Sequence, residues 1–244
     1  MGTIDELKNR TSVRVFEPRP IPDEVKQEVL ACAFAAPTAG NQMLYTIIDV
    51  EDAGIKATLA RLCDKQAFIA SAPWVLVFLA DCRRWYDAYQ LAGCDPRPPA
   101  LSDLVLACED AMVAAQNAVV AAQTQGVGSC YIGDIVENRE EMVDLLDLDP
   151  WVFPVSLLVL GYPTGQQLRR PKPPRFDSQF IVLKDHYRRL SNGELRQMFA
   201  ERDQDFDTFV PPFCRRKYMS DFALEMARSV DGYFQAYARP ASAE

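Results

Sequence analysis

The sequence predicts a layered α+β fold, and three observations carry that expectation. Two short runs, WVLVFLAD at 74–81 and FPVSLLVLGYP at 153–163, are apolar on both faces and rich in β-branched residues, as buried central strands are. Between them, residues 101–126 (LSDLVLACEDAMVAAQNAVVAAQTQG) form a long alanine-rich stretch that is apolar on most faces. Such a helix has to be buried, in a core or against a partner. Strict strand–helix–strand alternation is missing, and no GxGxxG follows a strand, so a Rossmann dinucleotide fold is not expected.

The remaining elements follow in order. IPDEVKQEVLACAFAA, 21–36, opens with Pro22 and acidic residues and repeats apolar positions at helical spacing until Pro37 stops it. LYTIIDV at 44–50 reads as a strand, and 55–72 as a helix in one or two pieces. Residues 83–100 are polar, with Gly93 and prolines at 96, 98 and 99, and read as a loop or lid. SCYIGD at 129–134 is a short strand or turn, and 138–148 a helix. RRPKPPR at 169–175 is a basic arm, and 178–238 is mainly helical and amphipathic.

Nearly half of the 244 residues are hydrophobic, enough for a substantial core, and the formal net charge is −8. That charge argues against a nucleic-acid binder, so any anion site must be a local positive cluster. The seven cysteines are odd in number and lack CxxC spacing, the usage of a reducing cytoplasm. No apolar leader precedes residue 10, and the longest apolar run is too short to span a bilayer, so neither export nor a membrane is expected.

Residues able to do chemistry are scarce. His186 is the only histidine, so no histidine-based zinc site, and no metal, is expected. No GxSxG elbow or P-loop is present. Such a chain binds something or borrows its chemistry from a cofactor. Three segments suit a flat, phosphorylated ligand. In NRTSVR, 9–14, an extended backbone puts Arg10, Ser12 and Arg14 on one side, a receptor for a compact anion. APTAGNQ, 36–42, joins a helix end to a glycine, a hydroxyl and two amides. GVGSCYIG, 126–133, sets three glycines around a small-residue strand.

With the basic arm, these segments resemble the FMN-dependent nitroreductase superfamily, most closely its NADPH-preferring oxygen-insensitive nitroreductase and flavin reductase branch. The resemblance runs from residue 3 to about 190 through RTSVRVFEPRPIPDEV, AAPTAGNQ, DKQAFIASAPWVLVFLAD, AAQTQGVGSCYIGDI and GYP…KPPRF. It implies one nitroreductase-like domain over 1–244, with a mixed or antiparallel sheet flanked by helices, a long dimer helix and a C-terminal arm. Residues 195–244 form a divergent helical extension. Arg10, Ser12 and Arg14 would hold the phosphate and pyrimidine edge of FMN. Thr38, Ala39 and Asn41 would line its ring and ribityl chain, and Gln66 would bond the pyrimidine edge. Tyr131, Ile132 and Gly133 would pack on the ring, with the Gly133 N–H near N5. Lys172 and Arg175 would close on the phosphate, and Arg228 would meet the phosphate of NADPH. No protein group is implied as catalytic acid or base.

The implied activity is FMN-dependent NAD(P)H oxidoreduction, with NADPH or NADH as donor and a nitroaromatic, quinone or flavin-type acceptor. Donor and acceptor would use one site in turn, by ping-pong kinetics, in a homodimer with no nucleic-acid or membrane partner. The alternatives are a non-catalytic FMN-binding protein, or a flavin destructase or reductive dehalogenase on the same fold. Two departures stand out: residues 195–225 leave the family pattern, and GD at 133–134 replaces a common Gly-Gly, placing the Asp134 carboxylate near the reactive face.

Overall fold

A computed structural model describes residues 2–238. Two compact units are present: one takes in the chain up to Arg170 and resumes at Glu225, and the other is Pro171–Leu224. The first holds helices α1 (Thr3–Asn9), α2 (Asp23–Phe34), α3 (Ala53–Leu62), α4 (Arg83–Leu91), α5 (Leu101–Thr124), α6 (Arg139–Leu146) and α7 (Gly165–Leu168). Its strands are β1 (Tyr45–Asp49), β2 (Trp74–Asp81), β3 (Gly128–Ile132) and β4 (Val152–Gly161). The second holds α8 (Asn192–Ala200) and α9 (Phe206–Tyr218); α10 (Asp221–Phe234) begins there and runs on into the first.

The sheet order is β1-β2-β4-β3, antiparallel throughout. The central strands β2 and β4 are apolar on both faces because both faces are covered. Alternate residues of β2 feed two cores. Trp74, Leu76 and Phe78 pack with Val29 and Ala33 of α2 and the alanines of α5. Val75, Val77 and Leu79 pack with Leu59 and Leu62 of α3 and Met142 of α6. The β2–β4 register shifts at Phe78/Leu79, beside Pro154, which has no N–H to give the ladder.

Helix α5 buries Ala107, Ala111, Ala114, Ala118 and Ala122, small side chains that let its backbone approach α2 and the sheet. It is long and apolar enough to cross a membrane, but this buried face makes it a core helix. Its opposite side is not covered by any of the described residues. Leu101, Val105, Leu106, Met112 and Val113 are all exposed, so the expected all-round burial is met on one face only. Gly126 (φ 71) ends the helix in the left-handed region.

Three local expectations differ from the fold. The stretch 83–100 is not loop throughout: Trp85, Tyr86 and Tyr89 give α4 a strongly amphipathic face, and only the segment around the prolines is irregular. The helix expected over 55–72 stops at Leu62, because Asp64 and Lys65 take left-handed φ values of 53 and 55° and the chain turns on toward β2. Helix α1, not anticipated, is closed by Asp5, whose carboxylate accepts the Gly2 N–H at 3.2 Å. In the Pro171–Leu224 unit, Phe199 gathers the rings of Phe176, Phe206 and Phe209 between α8 and α9.

Candidate functional site

The segment carrying Arg10, Ser12 and Arg14 lies along β3. Ser12 bridges Ser129 in parallel fashion, and the Val13 N–H donates to the Ser129 carbonyl at 2.9 Å. Close approach is possible because two strand positions lack a side chain. A Cβ on Gly128 would stand 2.5 Å from Val13 Cγ2, and one on Gly161 would stand 2.6 Å from Phe16 Cδ1. Val13 is thereby buried, and the polar residues alternate away from it as the period-two pattern requires. The Arg14 main-chain N–H is held by the buried side chain of Gln167, whose Oε1 accepts at 3.1 Å.

Neither arginine is tied to a carboxylate. Among the described residues neither forms an ion pair with a carboxylate; Arg10 reaches only the Thr11 carbonyl, at 3.4 Å. Ser12 and Arg14 meet the Cys130 thiol, whose pKa is nonetheless raised by burial, so it is inert rather than a thiolate. Arg14 lies 6.0 Å over the Phe68 ring and borders an open cleft of about 840 Å³ with Phe16, Arg19, Phe68 and Ser71.

The turn between α3 and β2 brings Gln66 to the end of β3. Its Nε2 donates to Asp134 Oδ2 at 2.7 Å and to the Cys63 carbonyl at 3.0 Å. Gly133, next to Asp134, is exposed, and a Cβ placed there would meet no atom within 4 Å. Here a planar group can reach the main chain. Tyr131 is half-buried, its hydroxyl 3.3 Å from Gln116 Oε1. The Ile132 side chain is buried in the core, which leaves only its main chain for a ligand.

The 36–42 loop is held differently. Asp110, 4 % exposed on the alanine face of α5, accepts from the Thr38 hydroxyl, from the Ala39 N–H at 2.9 Å and from the Leu44 N–H at 3.1 Å. The Thr38 hydroxyl also accepts the Met43 N–H at 2.7 Å, so it is fully engaged inside the loop. These bonds stabilise left-handed φ values at Asn41 (57°) and Met43 (51°), which cost energy in any residue with a Cβ. Trp85 donates to the Gln42 carbonyl at 2.8 Å, fixing the loop to α4. Asn41 is exposed at the tip. The loop's bonds therefore run to α4 and α5, and not to the Arg10–Gln66–Gly133 group.

Three further expected residues remain. Lys172 and Arg175 are exposed in an irregular stretch of the Pro171–Leu224 unit. Arg228 is bound within the chain: it donates to Glu225 at 2.8 and 2.9 Å and to Glu140 at 2.8 and 3.1 Å. Arg228 holds both carboxyls down to about 2. A ligand phosphate would have to displace both.

Sequence reasoning missed Asp110, Gln167 and Glu137. Asp110 was detectable, since it occupies the i+3 position from Ala107 on the stripe that also carries Ala114 and Ala118. Gln167 and Glu137 carry no local signal; tertiary contacts alone give them their roles.

The residues fit FMN on two structural counts: two guanidiniums on one segment along β3 with no carboxylate partner among the described residues, and an open glycine face beside a fixed amide. The comparisons agree. The family model described as "Nitroreductase family" matches residues 7–162. A Cr(VI) reductase of Pseudomonas sp. (strain G-1) is 32% identical over 168 residues, covering 69% of each chain. An FMN reductase (NAD(P)H) of Bacillus subtilis is 29% identical over 209 residues, covering 85% of this chain and 82% of its own. Among solved structures, NfrA2 of B. megaterium superposes with a TM-score of 0.82 at 26% identity, covering 96% of this chain and 98% of its own. With a family model spanning well over half of its residues, the chain belongs to the nitroreductase family.

Proposed function

We propose that the chain is an FMN-dependent oxidoreductase that draws electrons from NAD(P)H and passes them to a small nitroaromatic, quinone or flavin-type acceptor. The observation that carries this reading is the pair Arg10 and Arg14, with no carboxylate partner among the described residues, on the extended segment that runs along β3 near the open face of Gly133. FMN, when bound, supplies the two-electron chemistry that the side chains of this protein lack. Arg10, Ser12 and Arg14 bind its anionic end through charge-assisted hydrogen bonds, and Gln167 sets the backbone from which Arg14 projects. Gly133 admits the flat ring, and Gln66 bonds its edge. Relatives named for NADPH and for NAD(P)H support use of a nicotinamide donor.

The chain works as a homodimer in this reading. The exposed apolar residues of α5 need a partner, and the 36–42 loop, tied to α4 and α5, completes a cradle from a second copy. Seven free thiols suit a reducing cytoplasm.

The test is direct. Purified protein should be yellow, should oxidise NADPH or NADH only when an acceptor is present, and should give parallel double-reciprocal lines. Light scattering at low micromolar concentration should return twice the chain mass. Colourless protein that takes up no added FMN would overturn the proposal. Bound FMN without turnover by either donor would leave a flavin-binding protein and no enzyme.

A further inference from the structure

Resting on the flavin reading above, we propose that Asp134 is a positioning residue. It locks the Gln66 amide so that the carbonyl oxygen, and not the amino group, is the end offered to a ligand. The buried carboxyl of Glu137, three residues on, backs it.

Gln66 has two N–H donors on Nε2, and both are used: one on the Cys63 carbonyl at 3.0 Å, the other on Asp134 Oδ2 at 2.7 Å. Turning the amide over would set Oε1 against a carboxylate oxygen and a carbonyl, three acceptors with no proton between them. The orientation is therefore fixed, and Oε1 is the end left for a partner. An acceptor at this point selects a ligand donor such as the ring N3–H of a pyrimidine edge. It disfavours an edge that presents only oxygens.

Asp134 is itself held. Glu137, 5 % exposed, has an enclosed Oε1 that meets no donor. Its carboxyl lies against that of Asp134. The groups that act on it are Asp134 from its own segment, Asp64 from the turn after α3 and Glu225 from α10, every one a carboxylate. Burial, followed by the Asp134 charge, pushes Glu137 up to about 8. A protonated Glu137 donates to Asp134, which then keeps one negative charge for two donors, Glu137 and Gln66. That charge, adjacent to Gly133, disfavours adding electrons to a bound ring, so it sets the cofactor's potential as well as its orientation.

Two variants separate the proposal from a structural role. Asp134→Ala frees the Gln66 amide to turn and should weaken FMN binding to apoprotein about tenfold. Asp134→Asn still offers an amide oxygen to Gln66 Nε2 and should bind FMN within about twofold of wild type. Having lost the charge, it should also show a less negative midpoint potential for the bound FMN. Wild-type affinity in Asp134→Ala, or an unshifted potential in Asp134→Asn, would overturn the assignment. So would an Asp134→Asn variant as weak as Asp134→Ala. If the alanine variant fails to fold, the asparagine variant decides alone. Wild-type protein that binds no FMN would overturn the flavin reading itself, and this inference with it.

Discussion

Arg14 and Arg228 are the same residue type in opposite circumstances. Arg14 has no carboxylate partner among the described residues and borders an open cleft; Arg228 is gripped by Glu140 and Glu225. An arginine without a partner is binding capacity held in reserve. An arginine with two is a fastener: Glu225 also accepts the Asn138 N–H at 3.2 Å, and Ser229 accepts the Arg139 N–H at 3.0 Å, so the cluster fixes α10 to the start of α6. Lacking a carboxylate does not by itself mark a site; what distinguishes Arg14 is its place on the extended segment along β3, beside the open cleft.

The largest effect expected from this contrast is on cofactor affinity. Arg14→Ala removes a charge-assisted contact of about 1.5–3 kcal/mol, a ten- to hundredfold rise in the FMN Kd. The apoprotein's urea midpoint should move little, since the contacts of Arg14, with the Cys130 thiol and over the Phe68 ring, are weak. Fluorescence titration of apoprotein measures the first and denaturation the second. Unchanged affinity would break the comparison at its first term.

The contrast also explains what was legible in the sequence. Arg10, Ser12 and Arg14 announce themselves because their geometry is local: alternation along five residues decides which face they share. The central strands were legible for the same kind of reason, their apolarity on both faces being a local record of two covered sides. Arg228 resembled a phosphate ligand because its own segment matches one. Its partner Glu140 lies 88 residues earlier, and no local pattern reports a pairing at that distance. Asp64 and Lys65 ended α3 through left-handed backbone turns that helical propensity does not forecast. The aromatic face of α4 was obscured by the prolines that follow it.

A smaller effect is expected at the fastener. Arg228→Ala should leave the FMN Kd unchanged and alter kcat/KM for NADPH and NADH by the same factor. A selective loss with NADPH would mean that the donor's phosphate displaces Glu140 and Glu225. Stability carries a second signature. Both carboxyls sit at about 2 against an ordinary 4.5, so their pairing stabilises the fold above the ordinary value and is lost as pH falls toward 2. Urea midpoints of wild type and Arg228→Ala should therefore differ at neutral pH and converge between about 4.5 and 2. The gap should be modest, because the pairs are exposed.

The finest test uses two glutamates three residues apart. Glu140 has an arginine and is pulled down; Glu137 forms no ion pair among the described residues and is pushed up to about 8 by burial and by Asp134. The sign of their linkage is opposite. A carboxyl whose folded value lies above its ordinary 4.5 holds a proton that the unfolded chain releases, so its contribution is complete below 4.5 and lost as pH rises through 8. Wild-type stability should decline across that window. Glu137→Gln carries no titrating group and can still donate an N–H to Asp134, so its urea midpoint should stay flat from pH 5 to 8 where the wild type falls. Parallel curves for the two proteins would remove Glu137 from the support of Asp134 and Gln66.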